Sequence, residues 1–182
     1  MVRAFVAIDL SDAVKTELGR MQGHLRRSAA RLSYVDPSLA HITLLFLGEV
    51  EDSRLESVKE ALLGIQGTTY DLAVTGVAGN NPRRPRVIWC TVEDGGATAR
   101  LADAVEGALR PLGFRRDRRE FTPHITLARV KEFDPSLLEG IADLADETAG
   151  LCTIDRIVLK QSTLTPKGPI YQTLLEVPLG AH

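Results

Sequence analysis

The sequence predicts an α+β fold of two pseudo-symmetric lobes, with antiparallel sheets facing a central cleft and helices on the outside. The first observation is that the tetrapeptide His-Ile-Thr-Leu occurs twice, at residues 41–44 and 124–127. The second is that each copy lies on a predicted strand that follows a helix and precedes a helix and two strands, as in a degenerate duplication. The third is that two pairs of strands lack an intervening helix, which favours antiparallel pairing.

Hydrophobic periodicity and turn residues predict the elements of the first half in order. These elements are a strand at 3–9, a helix capped by Ser11-Asp12 with the apolar stripe Val14, Leu18, Met21, Leu25 and Leu32, a connection at 34–40, the first motif strand at 40–47 ending at Gly48, a helix begun by a capping box of Ser53 and Glu56, and strands at 70–77 and 86–92 around a turn-rich loop at 79–85.

The second half repeats this order with its own start and stop signals. Its elements are a helix with the apolar stripe Leu101, Val105, Leu109 and Leu112 that ends before Gly113, a charged segment at 115–120, the second motif strand at 124–130, a helix begun by Asp134-Pro135 that stops near Gly150, and strands at 154–160 and 170–177 around a turn at 166–169.

Composition narrows the class of protein. The 182 residues are 44% hydrophobic and 25% charged, as in an ordinary soluble globular domain, and there is no apolar run long enough for a membrane span. The net charge of −2 argues against a high-affinity duplex binder, although it allows a local basic patch. Cys90 and Cys152 have no metal-site or redox spacing, so two free thiols in the cytoplasm are the simplest prediction. Nothing indicates an obligate dimer, and we expect a monomer.

The repeated motif carries the chemistry. On a strand, His41 and Thr43 point to one face and Ile42 to the other, and the second copy places His124 and Thr126 in the same way. Two imidazoles, with ordinary pKa values of about 6.5, suit a reaction that moves two protons near neutral pH. The threonine hydroxyls can donate to phosphate oxygens. This set needs neither a metal nor a cofactor, and no nucleophilic side chain is evident, so water is the expected attacker.

Simpler roles compete with catalysis for each of these groups. A lone histidine beside an apolar run is usually structural, but two copies in matching contexts favour function. A zinc site needs three or four ligands, whereas two histidines converge here and neither cysteine has a place beside them. His24 and His182 are expected to be bystanders.

Arginines and aromatic residues provide candidate contacts. Runs of arginine could gather the phosphates of a nucleic-acid strand, although charge runs are more often solvated surface; they comprise Arg83, Arg84 and Arg86, and Arg115, Arg116, Arg118 and Arg119. Strict alternation places Arg129 on the face of Ile125, so it reaches the face of His124 only if the strand bulges or ends. Phe5 and Tyr171 could stack on a base, or they could belong to the core.

The two motifs with their flanks resemble the 2H phosphoesterase superfamily, and within it the bacterial and archaeal RNA 2′,3′-cyclic phosphodiesterases, also named 2′–5′ RNA ligases. The resemblance covers nearly the whole chain, with the matching segments at 3–10, 41–50, 121–130 and 161–179. The sequence departs from the pattern at Tyr34, where relatives often have tryptophan, and at Ala40, where they often have leucine. Both departures surround the motif without altering its reacting groups.

The resemblance implies a single domain of two lobes over residues 1–182, and an enzyme that opens a terminal 2′,3′-cyclic phosphate of RNA to a 2′-phosphate. It assigns His41 as the proton donor to the leaving 3′ oxygen and His124 as the acceptor that activates water. Thr43 and Thr126 would hold the phosphate, and Arg129 matches an arginine that commonly follows the second motif.

Three alternatives stay open at this point. The same site could run in reverse and join RNA ends with a 2′–5′ linkage, although water is far more concentrated than an RNA end. The substrate could instead be a small cyclic nucleotide phosphate or a 2′–5′ linkage. The cleft could also bind RNA ends without catalysis, but pure binding would not require two histidines and two threonines.

Overall fold

Nine strands form two antiparallel sheets in the computed structural model, which describes residues 1–117 and 121–180. The strands are β1 (Val2–Asp9), β2 (Arg31–Tyr34), β3 (His41–Val50), β4 (Tyr70–Gly79), β5 (Val87–Glu93), β6 (His124–Glu132), β7 (Gly150–Ile154), β8 (Arg156–Thr165) and β9 (Gly168–Pro178). The order in the first sheet is β3-β1-β8-β9, and the order in the second is β2-β6-β5-β4-β7.

Four α-helices cover these sheets over the described part of the chain. They are α1 (Asp12–Leu25), α2 (Asp52–Leu63), α3 (Ala97–Leu109) and α4 (Ser136–Leu144), with short 3-10 turns at Pro37–Leu39 and Arg110–Leu112. The predicted α+β class and the antiparallel sheets are confirmed. None of these helices is long and apolar enough to cross a membrane.

Each sheet is built from strands of both halves of the chain. β1 and β3 pair in the first sheet, but the next strand of that half, β4, lies in the second sheet. β6 and β7 of the second half lie in the second sheet, whereas β8 and β9, which end that half, lie in the first. Each sheet therefore contains strands from both halves, and the two motif strands lie in different sheets.

The apolar face of each motif strand lies in the main core. Ile42 and Leu44 on β3 are each 1% exposed, and Ile125 and Leu127 on β6 are as deeply buried. α3 packs against β3, and α1 contacts β6. Burying one such side chain fully contributes roughly 1.5–3 kcal/mol, so the alternation of the motif is fixed by the core beneath it.

Several predicted boundaries were wrong. α1 ends at Leu25, and Leu32 lies on β2, where it pairs with Val130 instead of extending the helix. α2 begins at Asp52, so Ser53 is inside the first turn and no side-chain cap forms. β3 continues through Gly48, which adopts φ of 68°, to Val50. In each case tertiary pairing or backbone geometry overrides a local signal.

The second half differs in two places. α4 ends at Leu144 and not near Gly150, which begins β7 with φ of 109°. The chain leaves this helix early because Ala149 donates to the carbonyl of Val74 and β7 then pairs with β4. Gly113 does end the predicted helix region, with φ of 91° after the 3-10 turn. Both cysteines are free, as predicted, and both are buried.

Gly76 on β4 provides a test of how closely α4 packs on the second sheet. A Cβ at Gly76 would clash with the backbone carbonyl of Ala145, immediately after α4. We expect Gly76→Ala to lower the free energy of unfolding by about 1–3 kcal/mol or more, because neither backbone can yield cheaply. Urea titration followed by circular dichroism measures this change.

The matched control is Gly107→Ala in the last turn of α3, where nothing lies within 4 Å of the new Cβ. This variant should be stabilised by about 0.5–1 kcal/mol, because alanine loses less backbone entropy than glycine in a helix. Equal effects of the two substitutions would contradict the packing of α4 described above.

Candidate active site

Both motif strands line one cleft of about 860 Å³ between the sheets. His41, Thr43, His124 and Thr126 are each half-buried, and all four contribute to the wall of this cleft. The predicted convergence of the two motifs therefore has a structural basis in two strands of different sheets.

The two imidazoles are oriented by matching hydrogen bonds. Nδ1 of His41 lies 2.8 Å from the carbonyl oxygen of Leu39, and Nδ1 of His124 lies 2.9 Å from that of Thr122. Because a carbonyl only accepts, each Nδ1 must carry the proton, and each neutral ring presents Nε2 as an acceptor. Nε2 of His41 also lies 3.0 Å from Oγ1 of Thr43. Because a backbone carbonyl is present at every residue, the sequence gives no signal for the group that orients either ring.

Aromatic rings pack against both histidines. The ring centroid of Phe5 is 5.0 Å from that of His41, and the ring of Tyr171 meets His41 edge-on at 5.5 Å. Phe5 is only 3% exposed, so its ring supports the imidazole and has little surface to offer to a base. Tyr171 is half-buried and lines the cleft. The ring centroid of Trp89, a residue that was not predicted to belong to the site, lies 4.5 Å from that of His124.

A β-bulge in each motif strand redirects the residues that follow the motif. On β6 the register shifts between the pairs Trp89–Thr126 and Ile88–Ala128, so Leu127 and Ala128 are both buried. Arg129 consequently lines the cleft beside Thr126, against strict alternation. The bulge was the condition under which the sequence allowed Arg129 to reach the cleft.

The first motif strand has the equivalent bulge. The register between β1 and β3 shifts around Leu44, and Leu44 and Leu45 are both buried. Phe46 therefore turns toward the cleft, where it is 70% exposed. Phe46 and Arg129 stand at the same position relative to their histidines, and sequence alternation identified neither orientation.

A buried glutamine fixes the bulge of β6. Gln22 of α1 is 2% exposed, and its Nε2 donates to the carbonyl oxygens of Val35 at 2.7 Å and Leu127 at 3.0 Å. The backbone N–H of Val35 also donates to the Leu127 carbonyl at 3.0 Å. A buried carbonyl without a partner costs roughly 1–3 kcal/mol, so these bonds stabilise the backbone that positions Arg129.

An ion pair lies beside His41. Asp9 of β1 is the register partner of His41, and its carboxylate accepts from Lys160 Nζ at 2.6 Å. Burial lowers the pKa of His41, and the nearby charges of Lys160 and Lys15 lower it further. The hydrogen bond to Leu39 and the negative charge of Asp9 act on this pKa in the opposite direction. In the free protein, burial therefore favours the neutral form of His41.

The other charged candidates lie in different settings. Arg115 and Arg116 line the cleft, but Arg116 pairs with Glu106, its Nε lying 2.7 Å from Oε2. His24 does not line the cleft, and its Nε2 lies 2.9 Å from a carboxylate oxygen of Asp143. Within residues 1–117 and 121–180, no group of three or more potential metal ligands occurs. Outside the lining of this cleft lie Arg83, Arg84 and Arg86, and outside the described residues lie Arg118, Arg119 and His182.

Comparison with known proteins matches this chain to a family and to several relatives. The model of the LigT-like phosphoesterases matches residues 8–89 and 92–171. A protein named RNA 2′,3′-cyclic phosphodiesterase from Archaeoglobus fulgidus is 38% identical over 174 residues, covering 95% of this chain and 98% of the relative. A protein of the same name from Aeropyrum pernix is 37% identical, covering 88% of this chain and 93% of the relative.

Solved structures show the same fold. A crystal structure of a protein from Thermus thermophilus superimposes with a TM-score of 0.83 at 28% identity, covering 99% of this chain and 100% of that one. Escherichia coli LigT in complex with 3′-AMP superimposes with a TM-score of 0.79 at 22% identity, covering 98% of each chain.

The charges around His41 can be tested by titration. NMR of the imidazole carbon-bound protons should show that His41 titrates below the ordinary histidine range. Asp9→Asn should lower the pKa of His41 further, because the positive charge of Lys160 then faces the ring without compensation. Lys160→Met should raise this pKa.

Lys59→Met removes one lysine elsewhere, from an exposed pair with Glu56, and serves as the control. A His41 titration that is identical in the Asp9→Asn and Lys160→Met variants would show that the ion pair does not act on the ring.

Proposed function

Because the chain belongs to the LigT-like phosphoesterase family, we propose that it is an RNA 2′,3′-cyclic phosphodiesterase that hydrolyses a terminal 2′,3′-cyclic phosphate to a 2′-phosphate. The observation that supports this most strongly is the matched orientation of His41 and His124 on the wall of one cleft. Two Nε2 atoms held in this way can exchange one proton each with a substrate bound between them.

The proposed reaction is an in-line displacement at phosphorus. Nε2 of His124 accepts a proton from water, and the water oxygen forms a bond to phosphorus. The bond from phosphorus to the 3′ oxygen breaks, and protonated His41 gives its proton to that oxygen. The products are a 2′-phosphate and a 3′-hydroxyl, and proton exchange with solvent restores both imidazoles. Neither a metal nor a cofactor takes part in this scheme.

The phosphate would be held by Thr43, Thr126 and Arg129. The hydroxyls can donate to the non-bridging oxygens, and the guanidinium places a positive charge where negative charge develops. In the free protein, Oγ1 of Thr43 lies 3.0 Å from Nε2 of His41, so binding would transfer the Thr43 hydroxyl from the imidazole to the phosphate. This transfer frees Nε2 to face the leaving oxygen.

Substrate binding would also set the protonation of His41. Burial favours the neutral ring in the free protein, whereas a proton donor must be charged. A phosphodiester anion within hydrogen-bond distance stabilises the imidazolium, so the substrate itself would favour the form that its cleavage requires. We assign the base of the terminal nucleotide to the aromatic side of the cleft, where Phe46 and Tyr171 are accessible and Phe5 supports them.

The same site can also join RNA ends. A 5′-hydroxyl that takes the place of water forms the bond to phosphorus, the bond from phosphorus to the 3′ oxygen breaks, and the product is a 2′–5′ linkage with a free 3′-hydroxyl. Water is far more concentrated than an RNA end, so we propose ligation as a side activity that requires exclusion of water. We further propose that the protein acts as a monomer, because each residue assigned above lies on one chain.

The two-histidine mechanism is tested with a short RNA that carries a 2′,3′-cyclic phosphate, in excess chelator, with phosphorus NMR of the product. We expect a 2′-phosphate from the wild type, and turnover about 10²- to 10⁴-fold lower in His41→Ala and in His124→Ala, since each removes one proton transfer. His24→Ala, whose ring pairs with Asp143, should keep full activity.

Turnover that appears only after a divalent metal is added would overturn the metal-independent scheme. Full turnover with either motif histidine removed would overturn the assignment of roles. A wild-type protein that binds the RNA end without turnover would favour the non-catalytic module instead.

The pH dependence tests His41 as the donor. Because the pKa of His41 is lowered in the free protein and the donor must be protonated, kcat/KM should fall as the pH rises, beginning below about 6.5. In kcat, which reports the complex, this limb should move to higher pH because the bound phosphate stabilises the imidazolium. A kcat/KM limb that does not coincide with the His41 titration measured by NMR would exclude His41 as the donor.

A further inference from the structure

A second depression, of about 640 Å³, opens near the cleft, where β5 begins and β6 ends. Its lining combines two amides, three cations and an aromatic ring, contributed by Asn80, Asn81, Arg84, Arg86, Lys131 and Phe133. The mechanism proposed above uses none of these residues.

The second depression lies close to the cleft along β6. Lys131 lines the second depression, and Arg129, two residues earlier on the same strand, lines the cleft. Val130, between them, donates its N–H to the carbonyl of Arg86 at 2.9 Å, which holds the β5 end against β6. The cations Arg84, Arg86, Arg129 and Lys131 therefore form a basic strip that begins at the proposed phosphate site.

The basic strip is positive in a protein whose net charge is −2. Over residues 1–117 and 121–180, none of its four cations lies within ion-pair distance of a carboxylate. The neighbouring carboxylate of Glu132 is paired with Arg31 at 3.0 Å, and Arg116, which lines the cleft, is paired with Glu106. Unpaired cations that are grouped in this way create a local field that attracts an anion.

The loop that carries two of these cations is held in place by its own amides. Oδ1 of Asn81 accepts from the backbone N–H groups of Arg83 and Arg84 at 2.9 and 3.0 Å. Oδ1 of Asn80 accepts from those of Arg86 and Val87 at 2.8 and 3.2 Å. A loop ordered before binding loses less conformational entropy when a ligand arrives, which favours affinity.

The aromatic ring of the depression narrows the chemistry of the ligand. The guanidinium carbon of Arg84 lies 5.4 Å from the ring centroid of Phe133. Cations along a groove together with an aromatic ring are typical of sites for single-stranded nucleic acid, which offers both phosphates and stacking faces. A cyclic mononucleotide seated in the cleft has no second phosphate that could reach the basic strip.

We propose that the basic strip binds the phosphodiester backbone of single-stranded RNA on the 5′ side of its cyclic phosphate end. This inference rests on the proposed function, because the cleft fixes where the 3′ end lies and hence where the rest of the strand leaves. A cyclic mononucleotide, which lacks this backbone, does not reach the second depression.

The experiment compares two substrates in one protein. One is cytidine 2′,3′-cyclic phosphate, and the other is a single-stranded RNA of about ten nucleotides that ends in the same group, long enough to cover the groove of a typical single-strand site. In Arg84→Ala/Arg86→Ala/Lys131→Ala, kcat/KM for the RNA should fall by about tenfold or more at low salt. The slope of log KM against log salt should fall by about 2, since each lost phosphate contact on a single strand contributes about 0.7. For the mononucleotide, kcat/KM should stay unchanged.

The control variant is Arg20→Ala/Arg100→Ala/Arg156→Ala, which removes the same charge from residues outside both depressions. It should leave both substrates unaffected. Equal losses for the RNA and the mononucleotide in the strip variant would overturn the proposal, because the strip would then act only through the structure of the cleft. Equal kcat/KM values for the two substrates in the wild type would also overturn it.

A separate measurement distinguishes failure of the proposed function from failure of the basic strip. If neither substrate is hydrolysed by the wild type, fluorescence anisotropy with the same RNA, labelled at its 5′ end, still compares wild type with the strip variant. Tighter and more salt-dependent binding by the wild type would support the strip without the hydrolytic activity. Equal binding by the two proteins would overturn the strip independently of catalysis.

Discussion

The hydrogen bond from each imidazole Nδ1 to the carbonyl two residues earlier is the interaction on which the site depends. It sets the tautomer of His41 and His124, and it directs Nε2 of each ring to the same cleft. An uncharged acceptor orients the ring without adding a negative charge to a site that must bind an anion. Thr122 and Leu39 can play this part because each precedes a motif strand, where the backbone turns into the sheet. The histidines require only the backbone carbonyls at these two positions, and not the side chains.

The repeated motif supplies two similar half-sites, and the residues turned into the cleft by the bulges make them different. Each bulge buries two consecutive residues and turns the next side chain into the cleft. That side chain is the aromatic Phe46 in one half and the cationic Arg129 in the other. The equivalent position therefore carries an aromatic face on one wall of the cleft and a positive charge on the other. A site built from two copies of one motif is therefore asymmetric. Such a site can bind a substrate with a base at one end and a phosphate at the other in a single orientation.

Local pattern predicted the helices, the motif strands and the inward face of the motif, because periodicity depends on residues close in sequence. It did not predict β2 and β7, which have four and five residues and exist only through pairing with β6 and β4. It left open how Arg129 reaches the cleft, since the bulge depends on a glutamine 105 residues away that accommodates the Leu127 carbonyl. Trp89 was missed because the register between β5 and β6 cannot be derived from either strand alone.

The exchange of strands between the two halves has a consequence for the order of folding. β1 lies between β3 and β8, so the first sheet pairs Val6 with both Leu45 and Leu159. During synthesis β1 and β3 are available early, but the edge of β1 that pairs with β8 stays unpaired until β8 has left the ribosome. Contacts between residues so distant in sequence slow folding and expose strand edges to other chains. The half-site of His41 is therefore among the last parts of the molecule to be completed, although His41 is synthesised before His124.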